Sequence, residues 1–267
     1  MPTVQDLLDI LQHTTPENLA EDWDNIGLLI GDPGRSVRRI LLALDPTWAL
    51  IDQARAGRFD LVITHHPVIF RSLKALRTDT PTGRFIAVAT RADIGVIACH
   101  TNLDAIAGGV SDILAVALGL TAITPLIPSP KGCPSNCGLG RLGILPVAMG
   151  ADDFLARLQR ACAPPWLLEA GARPPQVTRV AVCGGSCSDF AETALRQGAD
   201  VFVTAEVKHS VARWAEDAGL WIIDAGHFAT ENGAMAAFAA RLRHQTADLG
   251  WEIEIETADQ HSPLRLV

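Results

Sequence analysis

Histidine and carboxylate side chains follow apolar runs at three distant places in this chain of 267 residues. His65 and His66 close the apolar run 61–64, and two imidazoles at the end of a buried strand are costly to leave without partners. Two similar pairs follow other apolar runs, namely His100 with Asp104 and His227 with Glu231. Because neutral imidazole is the commonest metal ligand in proteins, this is the ligand inventory of a two-metal hydrolytic centre.

The spacing of these residues refines the interpretation and leaves alternatives open. His227 and Glu231 are four residues apart, which places them on one face of a helix, and Gly226 allows a sharp turn just before them. Adjacent strand residues face opposite sides, so His65 and His66 can act together only where the chain is turning. A lone His100 could equally be a structural histidine or lie behind the ligands, and Glu231 alone could be a solvated helix carboxylate.

A further pair, Glu206 and His209, follows the apolar run 201–204. Together with His100 these residues are candidates for orienting a substrate or moving protons. For His209, as for His100, a structural role is the alternative. The remaining histidines lie among polar residues and receive no role: His13, His244 and His261.

Short apolar runs alternate with amphipathic stretches and predict an α/β fold of mostly parallel sheets flanked by helices. Strands are predicted at 39–44, 61–64, 95–99, 180–183, 201–204 and 220–224, after a short strand that ends near Gly31. Helices are predicted at 4–12, 48–56, 82–92, 110–118, 191–197 and 210–218. Ligands of open parallel sheets bind at the carboxyl ends of the strands, where the residues above lie.

Segments rich in proline and glycine, 125–140 and 163–175, suggest two lobes joined near residue 128. The N-terminal lobe, 1–127, would supply His65, His66 and Asp104. The second α/β lobe, 128–267, would return His227 and Glu231 to a metal site between the lobes. Residues 142–162 are interpreted as a small insert, and the alternating segment 251–257 as an edge strand with acidic residues outward.

The composition excludes several classes of protein. A hydrophobic fraction of 48% with 19% charged residues is typical of a folded globular chain. A formal charge of −8 argues against extended nucleic-acid or membrane binding. No signal peptide and no apolar stretch of the ~18 residues that a membrane span needs are recognisable. We therefore expect a soluble, cytoplasmic protein.

The cysteines and two glycine-rich motifs have ordinary explanations. The six cysteines are expected to be free thiols, because disulfides are improbable in the cytosol and C-x3-C is not the usual zinc spacing. Gly138–Gly143 matches G-x-G-x-x-G but lacks the preceding strand of a dinucleotide site. Cys183–Ser188 could cradle a phosphate or ribose group with backbone N–H groups, or form a tight turn between strand and helix.

The chain resembles the Nif-three-like dinuclear-metal family, whose members are also described as GTP cyclohydrolase I type 2 homologues. The resemblance runs through nearly the whole length. It is carried by residues 21–28, 63–67, 100–104, 138–143, 183–186 and 224–231. It implies metal ligation by His65, His66, Asp104, His227 and Glu231, with Glu231 bridging, and a toroidal homohexamer. The chain departs from the family in Thr204-Ala-Glu206, where Thr-Gly-Asp/Glu is usual, and at Cys187, where a small residue is expected.

The leading hypothesis is a metal-dependent hydrolase that holds two divalent ions per chain, from among Zn, Fe, Mn, Co or Ni. A water bridging the ions would attack a nucleotide-like substrate, and the family description points to ring opening of GTP. Two alternatives remain at this point. One is a nucleotide phosphoesterase on the same ions, and the other is a non-catalytic metal-binding or regulatory scaffold protein.

Overall fold

The computed structural model describes residues 1–129 and 134–267. Their contacts divide the chain into two compact units. Unit 1 comprises Met1–Leu103 and Met235–Gln260, and unit 2 comprises Asp104–Ala234 and His261–Val267. The predicted joint near residue 128 falls inside unit 2, because strands β5 (Thr121–Pro128) and β6 (Gly138–Met149) pair antiparallel in one sheet.

The sheet of unit 1 has the strand order β1-β4-β3-β2-β11. Its strands are β1 (Gly27–Ile30), β2 (Arg39–Ala43), β3 (Leu61–Thr64), β4 (Gly95–Ala98) and β11 (Glu254–Thr257). The pairs β11–β2, β2–β3 and β3–β4 are parallel, and β1 pairs antiparallel with β4. The predicted edge strand is confirmed in β11, where Ile255 is buried and Glu254 is exposed.

The sheet of unit 2 has the order β5-β6-β8-β9-β10-β7. Its further strands are β7 (Leu168–Ala170), β8 (Val177–Val182), β9 (Val201–Thr204) and β10 (Trp221–Asp224). Only β8–β9 and β9–β10 are parallel among its described pairs. The α/β class is confirmed, but the sheets are mixed rather than mostly parallel. The segment 142–162 is not an insert, since β6 pairs with both β5 and β8.

Helices cover the sheets, and several begin at side-chain caps. Thr3 forms a capping box with Asp6, Thr47 caps the next helix, and Thr80 precedes a helix with Pro81 in its first turn. The helices are α1 (Val4–Thr14), α2 (Trp48–Ala56), α3 (Pro81–Arg91), α4 (Thr101–Ala105), α5 (Val110–Ala117), α6 (Ala151–Cys162), α7 (Ala191–Arg196), α8 (His209–Ala218), α9 (His227–Glu231) and α10 (Gly233–Asp248). None of these described helices is long and apolar enough to span a membrane.

The core of unit 2 lies on both faces of its sheet. Along β9, Val201 and Val203 pack into one apolar cluster, whereas Phe202 packs into the other. Val180 and Ala181 divide between the same two clusters. Burial of both faces explains why these strands are continuous apolar runs in the sequence rather than alternating ones.

Strand register sets which residues emerge together. In unit 1, Thr64 pairs with Ala43 and with Ala98, so the chain leaves β2, β3 and β4 at one edge. In unit 2, Thr204 pairs with Asp224, so β9 and β10 also end level. Each unit therefore has one edge at which the segments carrying the predicted site residues meet.

Candidate functional site

His65 and His66 lie in a turn that begins as soon as β3 ends. The hydroxyl of Thr64 donates to the carbonyl of His66 over 2.7 Å, and the backbone N–H groups of both histidines donate to residues of the β2 segment. The two ring centroids are 4.9 Å apart. The turn thus removes the strand alternation that would have sent the two side chains to opposite faces.

A third imidazole completes a cluster in unit 1. His65, His66 and His100 each offer a ring nitrogen, and these three atoms lie within 4.8 Å of one another, a spacing that could hold a metal ion. The turn after β3 and the segment after β4 therefore bring these three imidazoles together. We call these three residues the histidine cluster.

Each Nδ1 atom of the histidine cluster already has a hydrogen-bond partner behind it. The partners are the carbonyl of Cys99 at 2.9 Å from His65, Oδ1 of Asp45 at 2.7 Å from His66, and Oδ1 of Asp24 at 2.8 Å from His100. Metal-ligating histidines almost always hold their second ring N–H on a carboxylate or carbonyl in this way. The same arrangement at all three rings suits a metal ion.

Asp24 is the most strongly anchored of these partners. Its side chain is shielded from solvent and receives bonds from His100, the hydroxyl of Thr101 and the N–H of Thr101. Burial by itself raises the pKa of this carboxyl, but the hydrogen bonds outweigh it and lower the pKa to about 2. Asp24 is therefore a fixed negative charge behind His100.

In unit 2, His227 and Glu231 lie on α9, and Gly226 with φ of +78° makes the sharp entry that was predicted. Nε2 of His227 lies 3.1 Å from Oε2 of Glu231, whose side chain is 4% exposed. Nδ1 of His227 lies 2.9 Å from Oε1 of Glu206. The i and i+4 spacing therefore brings both groups to one side of the helix, with Glu206 behind the imidazole.

Glu206 adopts a left-handed backbone conformation with φ of +52°. A residue with a side chain rarely occupies this region, because it costs about 1–3 kcal/mol and persists only where the surroundings enforce it. Here the strained turn after β9 directs the carboxylate to His227. The structure thus places Glu206 as a partner of one histidine, while His209, the first residue of α8, is exposed.

The Gly184-Gly185 turn packs against α9. The N–H of Gly184 donates to the hydroxyl of Ser111 at 3.2 Å, and the N–H of Gly185 donates to Thr230 at 3.0 Å. A Cβ atom at Gly185 would overlap with Oε1 of Glu231. Two of the N–H donors that a phosphate or ribose cradle would use are therefore already paired, which favours the alternative of a tight turn between strand and helix. The motif 138–143 lies on β6, which excludes a dinucleotide turn.

The described cysteines are free thiols: Cys99, Cys137, Cys162, Cys183 and Cys187. Burial raises the pKa of the Cys99 thiol to about 12. The pKa of Cys187 is raised by its hydrogen bond with Cys183, by burial and by the negative charges of Asp104 and Glu231. The prediction of ordinary free thiols is confirmed for these five, and Cys133 lies outside the described residues.

The sequence reasoning missed Asp24 and Asp45. Asp45 follows β2 by two residues, so the rule that polar groups gather at strand carboxyl ends would have found it. Asp24 lies in the turn before β1, and no spacing rule connects it to His100. Asp104, which the sequence did single out, lies half-buried on α4.

The fold and the histidine cluster define a two-unit α/β protein with a candidate metal centre. The sequence matches the Duf34/NIF3 (NGG1p interacting factor 3) family over residues 2–263, and the chain belongs to this family. It is 32% identical to a Streptomyces coelicolor protein named "GTP cyclohydrolase 1 type 2 homolog" over 261 residues, which cover 97% of this chain and 92% of the relative.

Solved structures share the fold. The crystal structure of Staphylococcus aureus protein SA1388 superimposes with a TM-score of 0.93 at 28% identity and covers 100% of both chains. A Bacillus cereus protein related to NIF3 superimposes with a TM-score of 0.94 over 100% of this chain and 99% of that one. At 24% identity, this second likeness shows the fold alone. The resemblance inferred from the sequence motifs is thereby confirmed.

Proposed function

We propose that this chain is a metal-dependent hydrolase whose two divalent ions are held by His65, His66, Asp104, His227 and Glu231. The observation that carries the proposal is the hydrogen bonding of the ring Nδ1 atoms. Cys99 and Asp45 hold those of His65 and His66, and Glu206 holds that of His227. A carbonyl or carboxylate on the second ring nitrogen is the arrangement that metal-ligating histidines almost always have, and it supports the ligand assignment.

Nitrogen and carboxylate oxygen donors suit Zn, Fe, Mn, Co or Ni, among which availability decides. When bound, such ions supply Lewis-acid chemistry, polarising the substrate and activating water for attack. The chain's own residues fix the donors. Asp45 and Glu206 lie behind the rings of His66 and His227 and orient each ring through its Nδ1 atom.

His100 is assigned a proton-transfer role, because Asp24 holds its Nδ1 and its remaining nitrogen lies within the histidine cluster. Glu206 is assigned a positioning role through His227. For His209 we keep the predicted role of substrate contact, based on its place after β9. The homohexamer and the cytoplasmic location remain predictions that the family resemblance suggests.

The substrate is proposed to be nucleotide-like, because the Streptomyces coelicolor relative carries the name "GTP cyclohydrolase 1 type 2 homolog". Hydrolytic opening of the guanine imidazole ring is the reaction that this name suggests. A phosphoesterase would use the same ions on the phosphate, and a metal-binding scaffold would show no turnover. A panel of nucleotides assayed with the bound metal separates these three.

The primary test is metal per chain by elemental analysis of protein purified without added metal or chelator. We expect about two transition-metal ions per wild-type chain. We expect the loss of most of this metal in the His65→Ala/His66→Ala variant. His244→Ala is the matched control, since His244 is an exposed histidine on α10. The proposal would be overturned by a metal content well below one ion per chain that is the same in wild type and in the His65→Ala/His66→Ala variant, even after reconstitution.

A further inference from the structure

A groove in unit 1 begins directly beside the histidine cluster. Its cavity volume is about 840 Å³. One wall is formed by residues 46–48, which follow Asp45, and another by residues 67–71, which follow His66. Small-molecule sites typically enclose about 300–1,000 Å³, so the groove has room for a ligand the size of a mononucleotide.

Exposed aromatic rings gather at this groove. Trp48 and Phe70 line it and are each 44% exposed, while Trp23 is 58% exposed and packs edge-on against Phe70 with centroids 5.8 Å apart. In the described ranges these three are the aromatic side chains that are largely exposed. The Phe70 ring also lies 6.2 Å from that of His100. Exposed rings concentrated beside a polar cluster indicate a binding surface.

The groove also carries positive charge. Arg71 and Arg84 line it, and the guanidinium of Arg84 lies 3.8 Å from the centroid of the Trp48 ring. The lining carboxylate, Asp79, is already held by Arg77 through two hydrogen bonds. Among the described residues, no carboxylate forms an ion pair with Arg71 or Arg84. Guanidinium groups recognise phosphate oxygens through paired N–H donors.

From the rings, the charge and the volume, we propose that this groove binds a planar aromatic ring linked to a phosphate. The ring packs against Trp48 and Phe70, and the phosphate is bound by Arg84 and Arg71. The inference deepens the proposed function. That the bound ligand is then hydrolysed rests on the proposed function, whereas binding of the ligand in the groove does not. It assigns the parts of the substrate site that recognise ring and phosphate to residues outside the metal ligands.

The test is isothermal titration calorimetry with guanosine 5′-monophosphate, guanosine and ribose 5-phosphate as probes. Each is titrated into metal-loaded and chelator-treated protein. Guanosine 5′-monophosphate should bind to both forms. Guanosine and ribose 5-phosphate, which each lack one part of it, should bind at least about tenfold more weakly. Trp48→Ala, Phe70→Leu and Arg84→Gln should each weaken its binding by about tenfold, since stacking on one aromatic ring contributes on this scale. Matched controls are the exposed positions Leu168→Ala and Arg213→Gln.

Two outcomes would overturn the inference. One is unchanged binding of guanosine 5′-monophosphate in the three groove variants. The other is dissociation of an oligomer by Trp48→Ala and Phe70→Leu in light scattering, which would make the rings an interface between copies. Metal content, measured on the same samples, separates the two proposals. A protein that carries no metal as purified or after reconstitution, yet binds the mononucleotide through Trp48 and Arg84, would refute the hydrolase and uphold the groove.

Discussion

Nδ1 of His66 lies 2.7 Å from Oδ1 of Asp45. The two residues follow adjacent parallel strands, and each comes two positions after a residue of the paired register, Ala43 with Thr64. The contact is therefore set by strand register, and it reaches the proposed metal ligand from behind. It provides the most direct way to perturb the metal site without removing a ligand.

Asp45→Asn is expected to lower metal affinity by about 10–100-fold, because loss of the carboxylate weakens the hold on the His66 tautomer. Competitive titration against a chromophoric chelator measures the affinity. The exposed Asp52→Asn, on α2, is the matched control. An affinity equal to that of wild type would show that Asp45 does not position a ligand.

Asp104→Ala is expected to reduce bound metal while the chain stays folded, since Asp104 is half-buried on a short helix and is not part of the apolar core. Elemental analysis beside thermal unfolding separates the two effects. Full metal content in a folded Asp104→Ala protein would remove this residue from the ligand set.

Gly185→Ala is expected to reduce metal binding as well as stability, because the added Cβ would overlap with Oε1 of Glu231. Gly219→Ala is the matched control, with φ of +77° against +72° at Gly185 and nothing within 4 Å of an added Cβ. Both variants should lose about 1–2 kcal/mol in urea unfolding from the left-handed backbone. Only Gly185→Ala should also lose metal, and equal metal content in the two would contradict the proposed role of Glu231.

Arg141→Met is expected to destabilise the chain by about 3–5 kcal/mol, because it removes the buried charge that pairs with Asp112. The Arg141 side chain is 1% exposed, lies 2.6 Å from Asp112 and donates to the carbonyls of Gly138, Gly140 and Ile106. The exposed Arg196→Met, which breaks a surface ion pair with Glu192 and a hydrogen bond to Thr193, should cost about 0.5 kcal/mol. Similar midpoints for both in urea unfolding would show that the buried network contributes little.

Asp24→Asn is expected to have an effect on stability that depends on pH. The folded pKa of Asp24 is about 2, below the unfolded value of about 3.9. Its charge therefore stabilises the fold above about pH 4, and this contribution is lost as the pH falls through about 2. Urea unfolding of wild type and variant from pH 3 to 7 should show a gap of about 1–2 kcal/mol that shrinks below pH 4. A gap independent of pH would refute the assignment.

Much of the fold was predictable from apolar patterning. The predicted strand 61–64 and helix 48–56 match β3 and α2, and the continuous apolar runs correctly indicated parallel strands buried on both faces. Strand pairing was less accessible. Whether β6 pairs parallel or antiparallel depends on which strands lie beside it. An apolar strand can pair in both ways, so its residues do not indicate which one occurs.

The site divides in the same way. The sequence by itself determined which side chains offer nitrogen and oxygen donors, since His65 and His66 had to emerge where a buried strand ends. Only the tertiary structure decided that Asp24 lies behind His100, that Glu206 turns to His227 through a strained backbone, and that the Gly185 donor is already used by Thr230. Hydrogen bonds between residues distant in sequence have no periodicity in the chain, so their partners become apparent only when the strands and turns are assembled.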